Sequence, residues 1–589
     1  MKFFRSFLIV VLSFIAVQFV AAQDKNVILP PNWFNLDLKS DGYFGISTEK
    51  AYQELLKNKQ PKQKIIVAVI DGGTDVHHED LKDVIWTNKG EVVGNGIDDD
   101  KNGYIDDVYG WNFIGSKNGN LHYDNLELVR IKRYLEPKYK STLPSTKLDS
   151  AEKEEYKLYR RVVSDFGKKY QEASEVYPIY IAIKKMIDSV AVLNKKTIPS
   201  LEDIDRFKTD DEFDDFIKKV IRKGSKEDGS IEKFYQNIAK GNKELNQTLN
   251  YNLNEKYDMR AELVGDDYSN SSERGYGNND VIGPDAEHGT HVSGIIGANR
   301  KNNIGIMGVA DNVSIMSIRV VPAGDERDKD VANGIRYAVD NGAKIINMSF
   351  GKAYKWDKKV VDEAVKYAES KGVLLIHAAG NDNENIDVVE NYPTKFYDSS
   401  EAKEYAQKHK KPEDKLFMPL IQRDNMQQGA NHPYMRKQDM INKEPALDSA
   451  KFKLPRAQNW IEVGASSYKD DDNLKASFSN YGKYTVDVFA PGFKINSTVP
   501  GNKYDEFDGT SMAAPVVSGL AALIWSYYPH LTALEIKDII MKSVTKVNHK
   551  IKYKNEQDET IRVNFSDLCV SGGIVNAYNA LKLAEQYKK

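Results

Sequence analysis

Two rhythms of apolar residues alternate along this chain. In three stretches, Lys64 to Phe113, Glu287 to Asn381 and Trp460 to about Leu581, short apolar runs end at Gly, Asp or Asn and helical patterns follow. Ile65 to Ile70 is a continuous, mostly β-branched run, as expected of a strand buried on both faces of a parallel sheet. Lys344 to Met348 and Val373 to His377 have the same texture. Helical spacing marks Asp330 to Asn341, Lys358 to Ser370 and Ser511 to Tyr527, and a last helix is expected over Gly573 to Tyr587. Strand and helix in alternation predict an α/β fold: a three-layer parallel sheet with helices on both faces. Ligand sites in such sheets lie at the carboxyl ends of strands.

The second rhythm fills two interruptions. From about Gly115 to Gly283 the chain is rich in Lys, Glu and Tyr at helical period. Tyr159, Val162, Val163, Phe166 and Tyr170 fall on one helix face, as do Phe213, Phe216, Ile217, Val220 and Ile221. Thr209 and Glu212 predict a capping box at the start of the latter. The other interruption, about Asn383 to Arg456, is polar and carries Pro393, Pro412, Pro419, Pro433 and Pro445, which predicts long loops with short helices.

The chain starts with Lys2 and Arg5, an apolar run from Phe7 to Val20, and small residues at Val20-Ala21-Ala22. This is the pattern of a cleaved export signal; the run is short for a membrane anchor. Export across the inner membrane, to the periplasm or the medium, is therefore expected, with no stable membrane span afterwards. A composition 41% hydrophobic and 29% charged permits a sizeable core, and a net charge of −3 points away from nucleic acid as partner. Cys569 is the single cysteine, so an exported chain has no internal disulfide framework and bound metal becomes a candidate stabiliser. Cys569 itself lies in an apolar run and reads as a small buried hydrophobe.

Three segments carry chemistry. The first strand ends in Asp71-Gly72-Gly73-Thr74-Asp75; then come His288-Gly289-Thr290-His291-Val292-Ser293-Gly294 and Gly509-Thr510-Ser511-Met512-Ala513-Ala514-Pro515. A serine hydroxyl becomes nucleophilic when a base takes its proton, a histidine titrates in the range for that task, and a carboxylate on the far ring nitrogen fixes the tautomer. Asp71 sits at a buried strand's carboxyl end, His288 opens a helical pattern, and Ser511 begins another helix whose free N–H groups suit an oxyanion. Taken singly, Asp71 reads equally as a turn residue, His288 with His291 as an i, i+3 metal pair, and Ser511 as a helix cap. Together, in the order Asp, His, Ser, the three segments resemble the active-site motifs of the subtilisin-like serine peptidases. The resemblance spans the three αβ stretches and neither interruption.

That resemblance implies a serine endopeptidase with Asp71, His288 and Ser511 as its triad and His291 as a packing residue. Ala378-Ala379-Gly380-Asn381 resembles the family segment whose Asn amide, with the nucleophile's own N–H, holds the tetrahedral intermediate, so Asn381 is implied as oxyanion donor. Ser349-Phe350-Gly351 matches the family's substrate-pairing edge, and Ala379 and Gly380 the opposite pocket wall. Lys352 stands where a second Gly is common, which alters the pocket. Gly96 to Asp107 resembles a calcium loop, with Asp98, Asp100 and Asn102 at alternate positions, Gly103 at the turn, the Tyr104 carbonyl next and Asp106 ninth. Its twelfth position is Tyr109 rather than Glu, so Asp107 is expected to close the site. Asp80 and Asn302 match ligand positions of a second family site. Calcium is thus the implied structural ion, with no organic cofactor and with proteins or peptides as partners.

The expected organisation is 1–22 signal, 23–63 N-terminal segment, 64–114, 284–382 and 457–589 catalytic domain, 115–283 helical insertion and 383–456 loop-rich insertion. The N-terminal segment is shorter than the family's usual folding-assistant propeptide, so standard self-removal is not expected. Asp71 and His288 are 217 positions apart because of the helical insertion, which is expected to restrict access to Ser511. The competing reading is a catalytically occluded scaffold of the same fold that binds a protein partner. Neither side-chain preference nor oligomeric state is legible.

Overall fold

The computed structural model describes residues 27–143, 145–209, 211–400, 402, 404, 452–554 and 559–587. The expected signal at 1–22 and most of the second interruption lie outside the described residues. One compact unit comprises the chain up to Pro393 together with Asn459 onward; Thr394–Gln458 forms another, in which Phe396 bridges Arg456 and its ring meets Phe452.

The larger unit is built on a nine-stranded sheet: β1 (Ile65–Asp71), β2 (Gly110–Asn112), β3 (Val313–Arg319), β4 (Ile345–Met348), β5 (Leu374–Ala378), β6 (Trp460–Ser466), β7 (Val488–Pro491), β8 (Thr545–Lys546) and β9 (Gly573–Ile574). Their order across the sheet is β8-β9-β7-β6-β5-β4-β1-β3-β2. Every pairing is parallel except β8 with β9. This is the α/β fold expected. Its β-branched central strands are buried along their length, as a sheet covered on both faces requires. Alternation decides what each face meets. Val67 and Val69 enter the main core with Val292 of the Glu287–Gly297 helix and Val516 of the Thr510–Tyr527 helix. Ile70 and Ile318 turn the other way, onto Gly334 of the Asp328–Asp340 helix. Strand β1 lies between β3 and β4, so the strand order reverses there, and Asp71 ends the strand at that point.

The Thr510–Tyr527 helix is apolar enough in length and composition to cross a membrane, but 94% of it is buried. It is a core helix, and every residue in it except Ser511 is buried. The predicted terminal helix begins later, at Ala577: Gly573–Ile574 forms strand β9 instead, drawn into the sheet beside Phe489.

Between β2 and the His288 helix lies a helical body: Glu127–Tyr139, Ser150–Leu193, Glu212–Glu227 and Ile231–Gln247 are its main helices. The predicted faces are buried in part: Ile217, Val220 and Ile221 pack with Ile183, Ile187, Phe234 and Ile238, and Tyr159 and Val162 pack against the Glu127–Tyr139 helix, while Tyr170 and Phe213 are exposed. The capping box expected at Thr209 is absent. Asp211 caps the Glu212–Glu227 helix instead, and Thr209 donates to Asp214, one turn inside.

Candidate active site

Strand β1 carries Asp71 to the sheet's carboxyl edge, where its side chain is 4% exposed. His288 sits in the first turn of the Glu287–Gly297 helix, and its Nδ1–H donates to both Asp71 oxygens at 2.9 Å. The two elements meet closely because Gly289 lacks a side chain: a Cβ there would lie 2.1 Å from the Gly73 carbonyl oxygen. Asp71 also accepts from the Gly72 N–H at 2.7 Å. Burial disfavours the His288 imidazolium, but the charge and hydrogen bond of Asp71, with Asp285 and Glu287 nearby, outweigh it and hold the pKa above the usual histidine value. His291 has no such partner. It stacks on Phe507, donates from Nε2 to the Asp505 carbonyl at 3.0 Å, and burial pushes its pKa down to about 3. It stays neutral and packs.

Ser511 is the one unburied residue of its helix. Its Oγ donates to the Ser349 carbonyl at 3.0 Å, and no hydrogen bond joins it to His288 among the described residues. Ser349 Oγ in turn donates to the Ser511 carbonyl at 2.9 Å. The end of strand β4 and the Ser511 helix are therefore tied together at this point.

Asn381 follows β5 through Gly380, whose φ of +102° a side chain would strain. The Asn381 Oδ1 accepts from the Thr510 N–H at 2.9 Å and from its hydroxyl at 3.0 Å. That leaves Nδ2 as its outward group. A Cβ built on Gly509 would be 3.5 Å from the Ser511 nitrogen and 3.6 Å from Asn381 Nδ2, so both donors border one small space. Two residues with no assigned role in the sequence reading hold this corner. Thr510 Oγ1 also accepts from the Gly380 N–H at 3.1 Å. Buried Asn480 donates to the Ala379 carbonyl at 2.9 Å and accepts from the N–H groups of Asp382 and Glu384 at 3.0 and 2.8 Å. Neither had a sequence signal beyond its neighbourhood.

The peptide groups of Phe350 and Gly351 make no backbone hydrogen bond among the described residues, whereas Lys352 pairs with Tyr392 in both directions at 2.9 Å. Ala379 is fully buried and its carbonyl is held by Asn480, so this wall of the cleft is rigid.

The acidic loop is arranged differently from its spacing. Asp98 accepts from the N–H groups of Asn102 and Gly103, and Asp106 from those of Gly94, Asn95 and Gly96. Both carboxylates are engaged in closing turns. The Tyr104 ring is packed against Trp111, Phe113 and Tyr337. Asp100 and Asp107 do converge, but with Glu91, which lies upstream of the loop and outside its spacing; one oxygen of each lies within 4.8 Å of the others. Asn102 links the pair, donating to Asp100 and Asp107 at 3.3 and 3.0 Å. Burial pushes the Asp107 carboxyl up to about 6 despite bonds from Tyr337, Asn88 and Asn102. At the other predicted site, Asn302 donates to Asp80 at 2.7 Å, and the Ile306 N–H to its other oxygen at 3.1 Å. Cys569 is buried, and burial raises its thiol to about 11, as an inert packing residue requires.

Residues 62–560 match the profile of the subtilase family. The chain belongs to the subtilase family. Among curated relatives, it is 30% identical over 269 residues to a thermostable alkaline protease of Halalkalibacterium halodurans, covering 46% of this chain and 55% of that protein. It is 32% identical over 262 residues to a thermophilic serine proteinase of Bacillus sp. strain AK1, covering 44% and 47%. Subtilisin E of Bacillus subtilis strain 168 is 30% identical over 272 residues, covering 46% and 53%. The chain thus spans about half the length of these relatives. As a subtilase it carries a large helical body between its Asp71 and His288 elements.

Proposed function

We propose that this subtilase is an exported serine endopeptidase that hydrolyses proteins or peptides through an acyl-enzyme. The observation that carries the reading is the Asp71 carboxylate clasping His288 Nδ1 through both oxygens. That bond keeps the proton on Nδ1 and leaves Nε2 as the base. Ser511 is the nucleophile; a staggered rotation about Cα–Cβ releases its hydroxyl from the Ser349 carbonyl. Such bonds commonly tighten only when substrate is bound. His288 takes the hydroxyl proton as the acyl bond forms, then passes it to the leaving amine. The space beside Gly509 receives the developing oxyanion between the Ser511 N–H and Asn381 Nδ2. The unpaired peptide groups of Phe350 and Gly351 support main-chain pairing with an extended substrate, with Ser349 and Gly380 beside the site and the buried Ala379 behind it.

Export is supported by the charged start, the apolar run and the small residues at Val20-Ala21-Ala22. A structural divalent cation fits the Glu91, Asp100 and Asp107 cluster: the donors are hard oxygens, and a 4.8 Å spread suits ligands placed ~2.4 Å from a calcium ion. Those three residues would hold it, with Asn102 adjacent, and it would stiffen the loop. Asp80 and Asn302 form the weaker second candidate.

The occluded-scaffold alternative draws on the Ser511–Ser349 bond. A fluorophosphonate probe separates the two readings: labelling of the parent chain, abolished in Ser511→Ala, is expected. An unlabelled parent protein would leave the scaffold.

A further inference from the structure

The substrate edge assigned above ends at Gly351, and the residue after it is a lysine whose side chain is 1% exposed. Its main chain is pinned to Tyr392, so the direction in which its side chain leaves is set. Lys352 Nζ meets Glu127 Oε2 at 2.8 Å, Asp328 Oδ1 at 2.7 Å and the Glu326 carbonyl at 2.9 Å. Those contacts occupy all three ammonium hydrogens. Glu127 belongs to the helical body: it opens the Glu127–Tyr139 helix, 225 positions before Lys352.

The contact is one member of a joint. The Glu127 N–H donates to Asp325 Oδ2 at 2.7 Å. Arg130 Nη2 donates to Glu127 at 2.7 Å, and Arg130 reaches the carbonyls of Asp325 and Glu326 at 3.0 and 3.3 Å. Asp124 is clasped by Arg327 at 2.7 and 3.0 Å. Tyr123 forms a parallel bridge with Ala323, and a Cβ on Gly324 would lie 2.2 Å from the Asp124 carbonyl oxygen. The base of the insertion therefore contacts Ala323–Asp328 and Lys352 at once.

We propose that the insertion is a built-in part of the substrate-binding edge, with Glu127 and Lys352 as positioning residues that hold Phe350–Gly351 in register for an extended peptide. This rests on the assignment of Ser349–Gly351 as the edge. A lid that merely screened access would release the cleft when removed. Removing this body would take Glu127 from Lys352 and open its ammonium to water, and the edge would lose its setting.

The test uses the full-length chain with Glu127→Gln, Lys352→Met and the double variant. Each is assayed on an extended peptide amide, on a single-residue ester too short to reach Gly351, and by the rate of fluorophosphonate labelling at Ser511. For each single variant KM for the peptide is expected to rise about tenfold, with ester hydrolysis and labelling within about twofold of the parent. The double variant is expected to fall short of the sum of the two single losses, because both changes remove the shared Glu127–Lys352 contact. Equal losses on peptide and ester, or an unchanged KM for the peptide at normal labelling, would overturn the proposal. Lys352→Met leaves Glu127 paired with Arg130, so it carries the test should Glu127→Gln fail to fold. A parent chain that cannot be labelled would sink the peptidase reading instead, so the two failures are distinguishable.

Discussion

The central sheet and the insertion's joint to it are both buried, yet they are made of opposite materials. Strands β1, β4, β5 and β6 meet the core helices mainly through Val, Ile, Leu and Ala, with buried polar contacts confined to pairs such as His377–Glu462 and Asn347–Ser518. The joint is a cluster of charges: Asp124, Glu127, Arg130, Arg260, Arg327, Asp328, Lys329, Asp330 and Lys352 are all buried there. Apolar packing tolerates many arrangements, whereas buried charges demand particular partners, because an unmatched one is heavily penalised. The sheet is a scaffold that many sequences can build. The joint admits one docking. Glu127 shows the balance: burial alone would raise its pKa, yet Arg130 and Lys352 bring it down to about 2.

The largest effect expected comes from breaking the chemistry while leaving both regions folded. Asp71→Asn keeps the shape at the end of β1 but removes the charge that holds the His288 proton on Nδ1. A fall of about 10⁴ in kcat is expected, the size this change has in a Ser-His-Asp triad. Its pH profile is more diagnostic. In the parent, activity is expected to rise with pH as His288 loses its proton, with that limb above the usual histidine value because of Asp71. Without the Asp71 charge the imidazolium loses its main support, so the residual limb should move to lower pH. A limb left in place would mean that Asp285 and Glu287, not Asp71, set the His288 titration. Thermal stability should barely change, since the apolar strand is untouched.

The two regions also differ in how far the sequence revealed them. The β-branched run before Asp71 and the apolar Ser511 helix were legible because burial on all sides leaves an unbroken pattern. The candidate triad residues and Asn381 stood out in the sequence as members of recognisable motifs. Glu91 was not: it joins Asp100 and Asp107 through a fold of the loop that spacing within the loop does not encode. The joint was invisible for a related reason. Charged residues at helical spacing read as a solvated face, and Glu127, Arg130 and Lys352 differ from surface residues only once their partners arrive from distant segments. Lys352 was seen as a departure from the family, but its cause lay 225 positions away. The Thr209 box failed on a smaller scale: Asp211, two residues nearer the helix, reached the free N–H groups first.

Breaking the joint should leave chemistry intact and reduce stability. Asp330 is fully buried and accepts from Arg260 at 2.7 Å twice and from the Tyr276 hydroxyl at 2.6 Å. Asp330→Asn keeps the volume but leaves Arg260 with Asp266 alone, which it contacts at 2.8 Å. A loss of about 3 kcal/mol is expected, at the lower edge of what a broken buried pair costs because one partner remains. Denaturant unfolding measures it. A loss below about 1 kcal/mol would show that the joint relaxes like a surface, and the contrast with the sheet would collapse.

The smallest effect asks whether burial, rather than charge, distinguishes the joint. Lys184 and Asp188 pair at 2.7 Å, one turn apart on the Ser150–Leu193 helix of the same insertion, but their side chains are 37% and 44% exposed. Water already solvates both charges there, so forming the pair gains little and losing it strands nothing. Asp188→Asn keeps an acceptor for the Tyr235 hydroxyl, which bonds Asp188 at 2.7 Å, so the variant isolates the ion pair. A change of about 0.5 kcal/mol is expected, shrinking further as salt is added. Similar distances with several-fold different consequences would locate the joint's strength in desolvation. Equal losses for Asp188→Asn and Asp330→Asn would instead mean that any charge pair in the insertion holds it together, and that its docking against Lys352 is nothing special.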